Sequence, residues 1–300
     1  MSGRRRKLFA FLAAAALAGA PAAAAVTVDP GASSLVRMLV FRYRAHDGLR
    51  RLAVLVLPRW YGPRRHPPIP LVISPHGRGE DAMENATVWR GLPARGPFAL
   101  VSPDGQGRRL ERFSWGDPGQ IDDLARMPGL VRRAFPWLWL NGRVYAVGAS
   151  MGGQETLLLV ARHTGLLAGA AAFDAPTNMR LRYRDFRLLR DGLRLQRLAR
   201  LEIGGSPRQS PRLYADRSPL DFARRIAFSG VPLQLWWSRR DRVVADQARQ
   251  SGLLYRLIEL FNPQAPVSEF VGRWAHTAEL GTKLPVALER LGLMRGTPLV

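Results

Sequence analysis

The sequence predicts an α/β domain with a mostly parallel sheet covered by helices on both faces, and three observations support that expectation. Two opening apolar stretches, 35–43 and 49–57, read as antiparallel strands joined by the turn His46-Asp47-Gly48. Six shorter strand-like runs follow, at 70–74, 98–102, 144–148, 169–173, 232–237 and 267–271. The first three are continuously apolar and end in turn residues, as parallel strands buried on both faces do. Helical stretches, including 121–135 and 154–162, lie between the runs, so βα units follow the antiparallel start.

In chain order, residues 1–25 resemble an export signal. Arg4, Arg5, Arg6 and Lys7 precede an apolar run over 8–20, and small residues at 20–25 offer a cleavage site. An apolar run of about 13 residues is shorter than the roughly 20 that a spanning helix needs. The expected product is an exported protein, periplasmic or extracellular, and the adjacent arginines leave general and twin-arginine routes open. Residues 26–300 then form a single α/β domain. The proline-rich stretch 58–70 is a loop. Residues 179–217 break the strand–helix alternation and carry 11 arginines against four acids. Here Arg187, Arg190, Arg194 and Arg197 recur at helical spacing opposite Phe186, Leu189 and Leu193, as in an amphipathic helix. This segment is expected to be a cap inserted over the carboxyl edge of the sheet. It would have a solvated basic face or serve as a lid that attracts anionic groups.

Composition narrows the function classes. With 47% apolar residues in 300, the chain can bury a substantial core, which excludes disorder as a description of the whole. Cysteine is absent, so disulfides, thiolate metal sites, cysteine nucleophiles and a lipid-anchored amino terminus are excluded together. The net charge of +22 suits a polyanion partner, but Lys7 and Lys283 are the only lysines, a bias that a GC-rich genome also produces. No nucleic-acid-binding motif accompanies the charge.

The chemistry concentrates at Gly148-Ala149-Ser150-Met151-Gly152. A strand precedes this Gly-x-Ser-x-Gly and a helix follows it, the context of a nucleophile elbow. In such a turn only very small residues fit two places either side of the serine, whose hydroxyl is presented at a helix amino terminus. Ser150 is therefore the candidate nucleophile. Of five histidines, His276 follows the last strand and is the candidate base, whereas His76 belongs to a loop-shaping motif. Asp241, in the turn after 232–237, is the favoured orienting acid, and Asp174, after 169–173, gives the same chain order. Asp246 is placed in the following helix, facing solvent. Trp115, Trp137, Trp139, Trp236 and Trp237 are candidates for the core or for lining an aromatic pocket.

These residues carry a resemblance. The His76-Gly77 loop, the 148–152 elbow, Asp241 in an Asp-x-Val-Val turn and His276 resemble the α/β-hydrolases from about residue 35 to the carboxyl end. Ser74-Pro75-His76-Gly77 and Ser102-Pro103-Asp104-Gly105 are similar to feruloyl and acetyl xylan esterases, polyhydroxybutyrate depolymerases, and dienelactone-hydrolase and prolyl-oligopeptidase relatives. The resemblance implies the α/β-hydrolase fold with eight strands. It also implies an oxyanion hole made by the N–H groups of Arg78 (or Gly79) and Met151. The implied activity is carboxylic-ester hydrolysis through an acyl-enzyme, with no cofactor. The substrate would be a small-molecule or polymeric ester, with contact to an anionic surface through the cap as a further expectation and no specific nucleic acid. A peptidase or other acyl hydrolase on the same triad, and a non-catalytic polyanion-binding protein, are the rival readings.

Overall fold

The computed structural model describes the backbone of residues 26–28 and all of residues 35–295; the expected export signal lies outside the described residues. One sheet runs through the molecule. Its strands are β1 (Val26–Val28), β2 (Val36–Arg44), β3 (Arg50–Pro58), β4 (Ile69–Ile73), β5 (Ala99–Pro103), β6 (Leu140–Ala149), β7 (Gly169–Phe173), β8 (Leu233–Ser238) and β9 (Val267–Gly272). Their spatial order is β1-β2-β3-β5-β4-β6-β7-β8-β9. The eight expected strands are present within about two residues, except that β6 begins four residues earlier, and the three-residue β1 adds a ninth at the edge. The first three pairings, β1–β2, β2–β3 and β3–β5, are antiparallel, and the rest are parallel. This is the α/β-hydrolase fold.

The pleat sorts the core into two layers. Ala53, Leu55, Leu57, Leu71, Ile73 and Ala146 point to one face, while Val54, Val56, Val72, Tyr145 and Val147 point to the other. Helices α3 (Pro118–Ala134), α4 (Met151–Arg162), α8 (Ala223–Ala227) and α9 (Ser251–Phe261) cover the first face. Helix α3 does so with Ile121, Leu124, Met127 and Val131, one helical stripe. The second face is covered by α1 (Ala82–Val88), the short α2 (Leu92–Arg95) and α10 (Leu280–Arg290).

Between β7 and β8 the chain forms α5 (Met179–Asp185), α6 (Gly192–Ile203) and α7 (Pro211–Ala215). Met179, Phe186, Leu195, Ala199, Ile203 and Tyr214 make a third core there, against Trp115 and Met151. The expected single stripe over 186–197 is corrected. A 3-10 turn at Phe186–Leu188 and an extended Leu189 interrupt the helix, and α6 starts afresh at Gly192. The interruption rotates the pattern, so Leu193 is 70% exposed and the buried stripe is Leu195, Ala199 and Ile203.

Strand order reverses around β4. The chain leaves β4 for β5 on one side, then returns to β6 on the other. Loops leaving the carboxyl ends of β4 and β6 therefore diverge, and such a switch point opens a crevice where ligands bind. The loop after β4 carries His76 to Gly79, and Ser150 follows β6.

Candidate active site

Ser150 occupies a sharp turn between β6 and α4 with φ 55° and ψ −122°, a conformation that a non-glycine residue adopts only when its surroundings force it. Its N–H donates to Phe173 O at 2.8 Å, and its own carbonyl accepts from Gln154 N at 3.0 Å, the first bond of the helix. The flanking glycines are needed for space. A Cβ on Gly148 would lie 2.4 Å from Gly152 O, and one on Gly152 would lie 2.1 Å from Pro75 O. Close approach of α4 to the loop after β4 is thus what the Gly-x-Ser-x-Gly pattern encodes.

His276 Nε2 lies 2.9 Å from Ser150 Oγ, and His276 Nδ1 lies 2.7 Å from Asp241 Oδ2. The other oxygen of Asp241 accepts from Val243 N at 2.8 Å and Val244 N at 2.9 Å, and Gln247 Nε2 donates to Oδ2 at 3.2 Å. Burial raises the Asp241 pKa. The hydrogen bond and charge of His276, with the Val244 and Gln247 donors, outweigh that effect and hold the carboxyl below its usual range. Asp241 is therefore an ionised partner for His276.

Asp174 does not reach the imidazole as a hydrogen-bond partner. It stands at φ 45° just after β7, where Oδ1 accepts from Ser238 N at 3.1 Å. Its Oδ2 accepts from Trp274 Nε1 and Thr277 N, both at 2.9 Å. These bonds grip the loop on both sides of His276. Burial raises the Asp174 pKa, the N–H donors oppose it, and the Asp241 charge raises it further. The two aspartates are pushed in opposite directions, so the role sequence order left shared between them is divided: Asp241 meets the histidine and Asp174 fixes its loop. Ligand atoms of Asp174, Asp241 and His276 lie within 4.8 Å of one another, a spacing that would also suit a cation. Each is already engaged in the hydrogen bonds just described, which suits a proton relay.

The loop after β4 is shaped by His76, which is 1% exposed. Its Nδ1 lies 2.7 Å from Gly77 O, and its Nε2 accepts from Gly105 N at 2.7 Å, tying the loops after β4 and β5. Gly77 N donates to Glu80 Oε2 at 2.8 Å and Gly79 N donates to Arg112 O at 2.9 Å. Of these three consecutive N–H groups, that of Arg78 has no protein acceptor among the described residues. Met151, directly after Ser150, opens α4.

A cavity of about 750 Å³ opens over Ser150 and His276, lined among others by Arg78, Asn85, Trp89, Val243 and Leu284. None of the five tryptophans proposed from sequence lines it. Trp115, Trp236 and Trp237 are buried in the cores, Trp137 is partly buried and Trp139 is 58% exposed. Trp89 does line it, held by a bond from Nε1 to Ser74 Oγ at 3.0 Å. No local pattern distinguishes Trp89, because its place is set by packing between α1 and the sheet. Asp246 is exposed as expected but does not lie within a helix. It stands in the left-handed region ahead of a 3-10 turn, Gln247–Arg249, and faces Arg249 across 3.7 Å.

Comparison with known proteins fits this geometry. No family model matches the chain, and no curated protein does either. Solved structures do match. An acylaminoacyl peptidase of Pyrococcus horikoshii superposes with a TM-score of 0.64 at 15% identity, over 89% of this chain. This chain spans only 44% of that enzyme's length. An S-formylglutathione hydrolase of Agrobacterium tumefaciens gives 0.64 at 12% identity, over 90% of this chain and 99% of its own. A Pyrococcus furiosus esterase gives 0.59 at 15% identity, over 84% and 91%. At these identities the likeness is one of fold.

Proposed function

We propose that the chain is an exported serine hydrolase that cleaves carboxylic esters through an acyl-enzyme. The observation that carries this reading is the unbroken chain Ser150 Oγ–His276–Asp241, with separations of 2.9 and 2.7 Å, at a strained turn beneath an open cavity. In the reaction His276 Nε2 takes the hydroxyl proton as Ser150 Oγ bonds to the ester carbonyl carbon. Asp241 holds Nδ1–H and stabilises the imidazolium. The carbonyl oxygen becomes an oxyanion held by the N–H groups of Arg78 and Met151, the latter at a helix amino terminus. Collapse expels the alcohol, which takes its proton from His276. Water activated by the same histidine then releases the acid.

The fold shared with an S-formylglutathione hydrolase and an esterase, as well as with a peptidase, is compatible with ester cleavage. Peptidase action is the neighbouring reading and is separated by turnover of amide substrates. The test is hydrolysis of short p-nitrophenyl esters by the parent and by Ser150→Ala. Turnover in the parent that drops by several orders of magnitude in the variant is expected, and equal rates would remove Ser150 from the mechanism. Export is tested by fractionation, where a protein still carrying residues 1–25 in the cytoplasm would overturn it.

A second reading, contact with an anionic surface, is supported by the segment between β7 and β8. Arg187, Arg190, Arg194 and Arg197 are exposed there, beside Leu188 at 72% and Leu193 at 70% exposure. Basic side chains alternating with exposed leucines suit a surface offering both negative charge and apolar depth.

A further inference from the structure

The turn at Ser150 is not the only strained backbone in its neighbourhood. In the loop between β5 and α3, Arg112 stands at φ 63°, Trp115 at φ 41° and Gly116 at φ 72°. A bulky residue keeps such a conformation only where its surroundings dictate it, and outliers of this kind concentrate at functional sites. Trp115 is 2% exposed and belongs to no part of the triad. What its conformation achieves is contact with the first turn of α4, which begins directly after Ser150. Trp115 N donates to Met151 Sδ at 3.4 Å, and Gln154 Nε2 donates to Trp115 O at 3.1 Å. Ser114 Oγ lies 3.5 Å from the same sulfur and donates to Glu155. Met151, whose N–H is assigned to the oxyanion, is thus anchored through its side chain in this loop.

The loop is gripped in turn from the segment between β7 and β8. Glu202 of α6, fully buried, accepts from Arg108 N at 2.6 Å, Arg109 N at 2.8 Å and Leu110 N at 2.9 Å. Gly107 permits that approach, since a Cβ there would lie 2.3 Å from the Glu202 carboxyl carbon. Arg217, just beyond α7 and 4% exposed, donates to Ser114 O and to Asp117 Oδ1, the latter at 2.7 Å. Its Nη2 also lies 3.5 Å from Glu202 Oε1, so its charge is met by two acids. Its own carbonyl accepts from Gln154 Nε2 at 2.6 Å. Gln154 therefore ties α4 to the loop and to Arg217 at once. A buried polar network of this kind rigidifies what it joins. The cavity over Ser150, by contrast, is lined by no residue of 179–217.

We propose that Arg217 is a positioning residue for the reaction: it fixes the backbone at Ser114 and Trp115, and through Met151 and Gln154 the N–H that receives the oxyanion. The segment between β7 and β8 is then a fixed brace for the nucleophile turn, not a lid that opens for substrate. The role in catalysis rests on the hydrolase reading, whereas the brace rests on the contacts alone.

The test compares Arg217→Met and Arg217→Lys with the parent, and uses Leu57→Ala as the reference for lost stability alone. Leu57 is fully buried near the end of β3, at the sheet edge away from Ser150. Melting curves establish that each variant is folded, and Glu202→Gln takes the place of Arg217→Met should the latter not fold. With a short p-nitrophenyl ester, kcat of Arg217→Met is expected to fall by about tenfold or more while KM stays within about twofold. Arg217→Lys should recover part of the loss, and Leu57→Ala should melt earlier yet keep its kcat. Affinity for a trifluoromethyl ketone, whose serine adduct carries an oxyanion, should weaken in step with kcat/KM. A kcat equal to the parent's, or a fall that Leu57→Ala matches, overturns the positioning role. Hydrogen exchange over residues 149–156 reads the brace without turnover. Faster exchange there in Arg217→Met but not in Leu57→Ala is expected, and unchanged exchange overturns the brace. Arg217-dependent exchange in a parent that turns over no ester would sink the hydrolase reading and leave the brace standing. Ser150-dependent turnover with neither kcat nor exchange responding to Arg217 would do the reverse.

Discussion

A serine held at φ 55° costs on the order of 1–3 kcal/mol, and the surrounding contacts must supply it. Gly152 is the residue through which they do so, since a Cβ there would lie 2.1 Å from Pro75 O. Gly152→Ala is expected to force the loop after β4 away from α4, with a melting loss of about 1–3 kcal/mol and disappearance of ester turnover. A variant that melts and turns over like the parent would mean that the tight approach is dispensable. The two aspartates make a sharper contrast. Asp241→Asn removes the charge that holds Nδ1–H, so kcat is expected to fall by roughly three to four orders of magnitude while the melting temperature changes little. Asp174→Asn instead replaces an acceptor shared by Ser238, Trp274 and Thr277 N–H groups, and is expected to lower stability by about 1–3 kcal/mol. Its activity should fall through a displaced His276. Measured kcat and melting temperature for the pair check the division, and the reverse pattern would exchange the two roles. Sequence order alone left these aspartates interchangeable, because what separates them is which loops converge on each.

At the scale of elements, α4 is the central helix, buried from Met151 to Ala161, and it carries an acid inside. Glu155 accepts from Ser114 Oγ, and burial pushes its carboxyl up to about 8 against that hydrogen bond. A folded value above the ordinary 4.5 means that the contribution to stability is complete below about pH 4.5 and declines as pH rises towards 8. The slope from this group is at most about 1.4 kcal/mol per pH unit. Glu155→Gln keeps the shape without the charge, so its melting temperature should exceed the parent's at pH 8 and vary less between pH 5 and 8. Parallel melting profiles for the two proteins would show that Glu155 does not titrate in that range. Elements of this kind were legible where local pattern decides them: the hairpin, the alternating apolar runs, and the glycine–serine turn between a strand and a helix. What escaped is set by long-range contact. Glu202 of α6 accepts from Arg108, Arg109 and Leu110 N–H groups more than 90 residues earlier, and Arg182 meets Val243 across 61. The break at Leu189 escaped for the same reason, since the apolar spacing continues through it and only packing against Trp115 and Met151 selects the new stripe.

Over the whole molecule, 45 basic side chains against 23 acidic ones produce a positive field. Its long-range part draws any polyanion and is screened within about 10 Å at 0.1 M salt. Charge alone therefore predicts adhesion that salt abolishes. The segment between β7 and β8 adds a distinguishable component, because Leu188 and Leu193 stand exposed among Arg187, Arg190, Arg194 and Arg197. On vesicles containing phosphatidylglycerol the arginines would meet headgroups and the leucines would enter the acyl boundary, giving attachment that persists in part at high salt. Replacing both leucines by serine is expected to leave low-salt binding nearly intact and to remove the salt-resistant fraction. Replacing the four arginines by glutamine should weaken binding at low salt instead. Both sets lie on the solvent side of α6 and the preceding turn, so stability should be unaffected. Co-sedimentation with anionic and zwitterionic vesicles at 50 and 500 mM salt reads the two components separately. Binding that vanishes completely at high salt in the parent would reduce this surface to its net charge. Retention on heparin but not on vesicles would assign it to a soluble polyanion. A salt-resistant fraction that depends on the leucines would assign this surface to a lipid boundary rather than to a soluble polyanion.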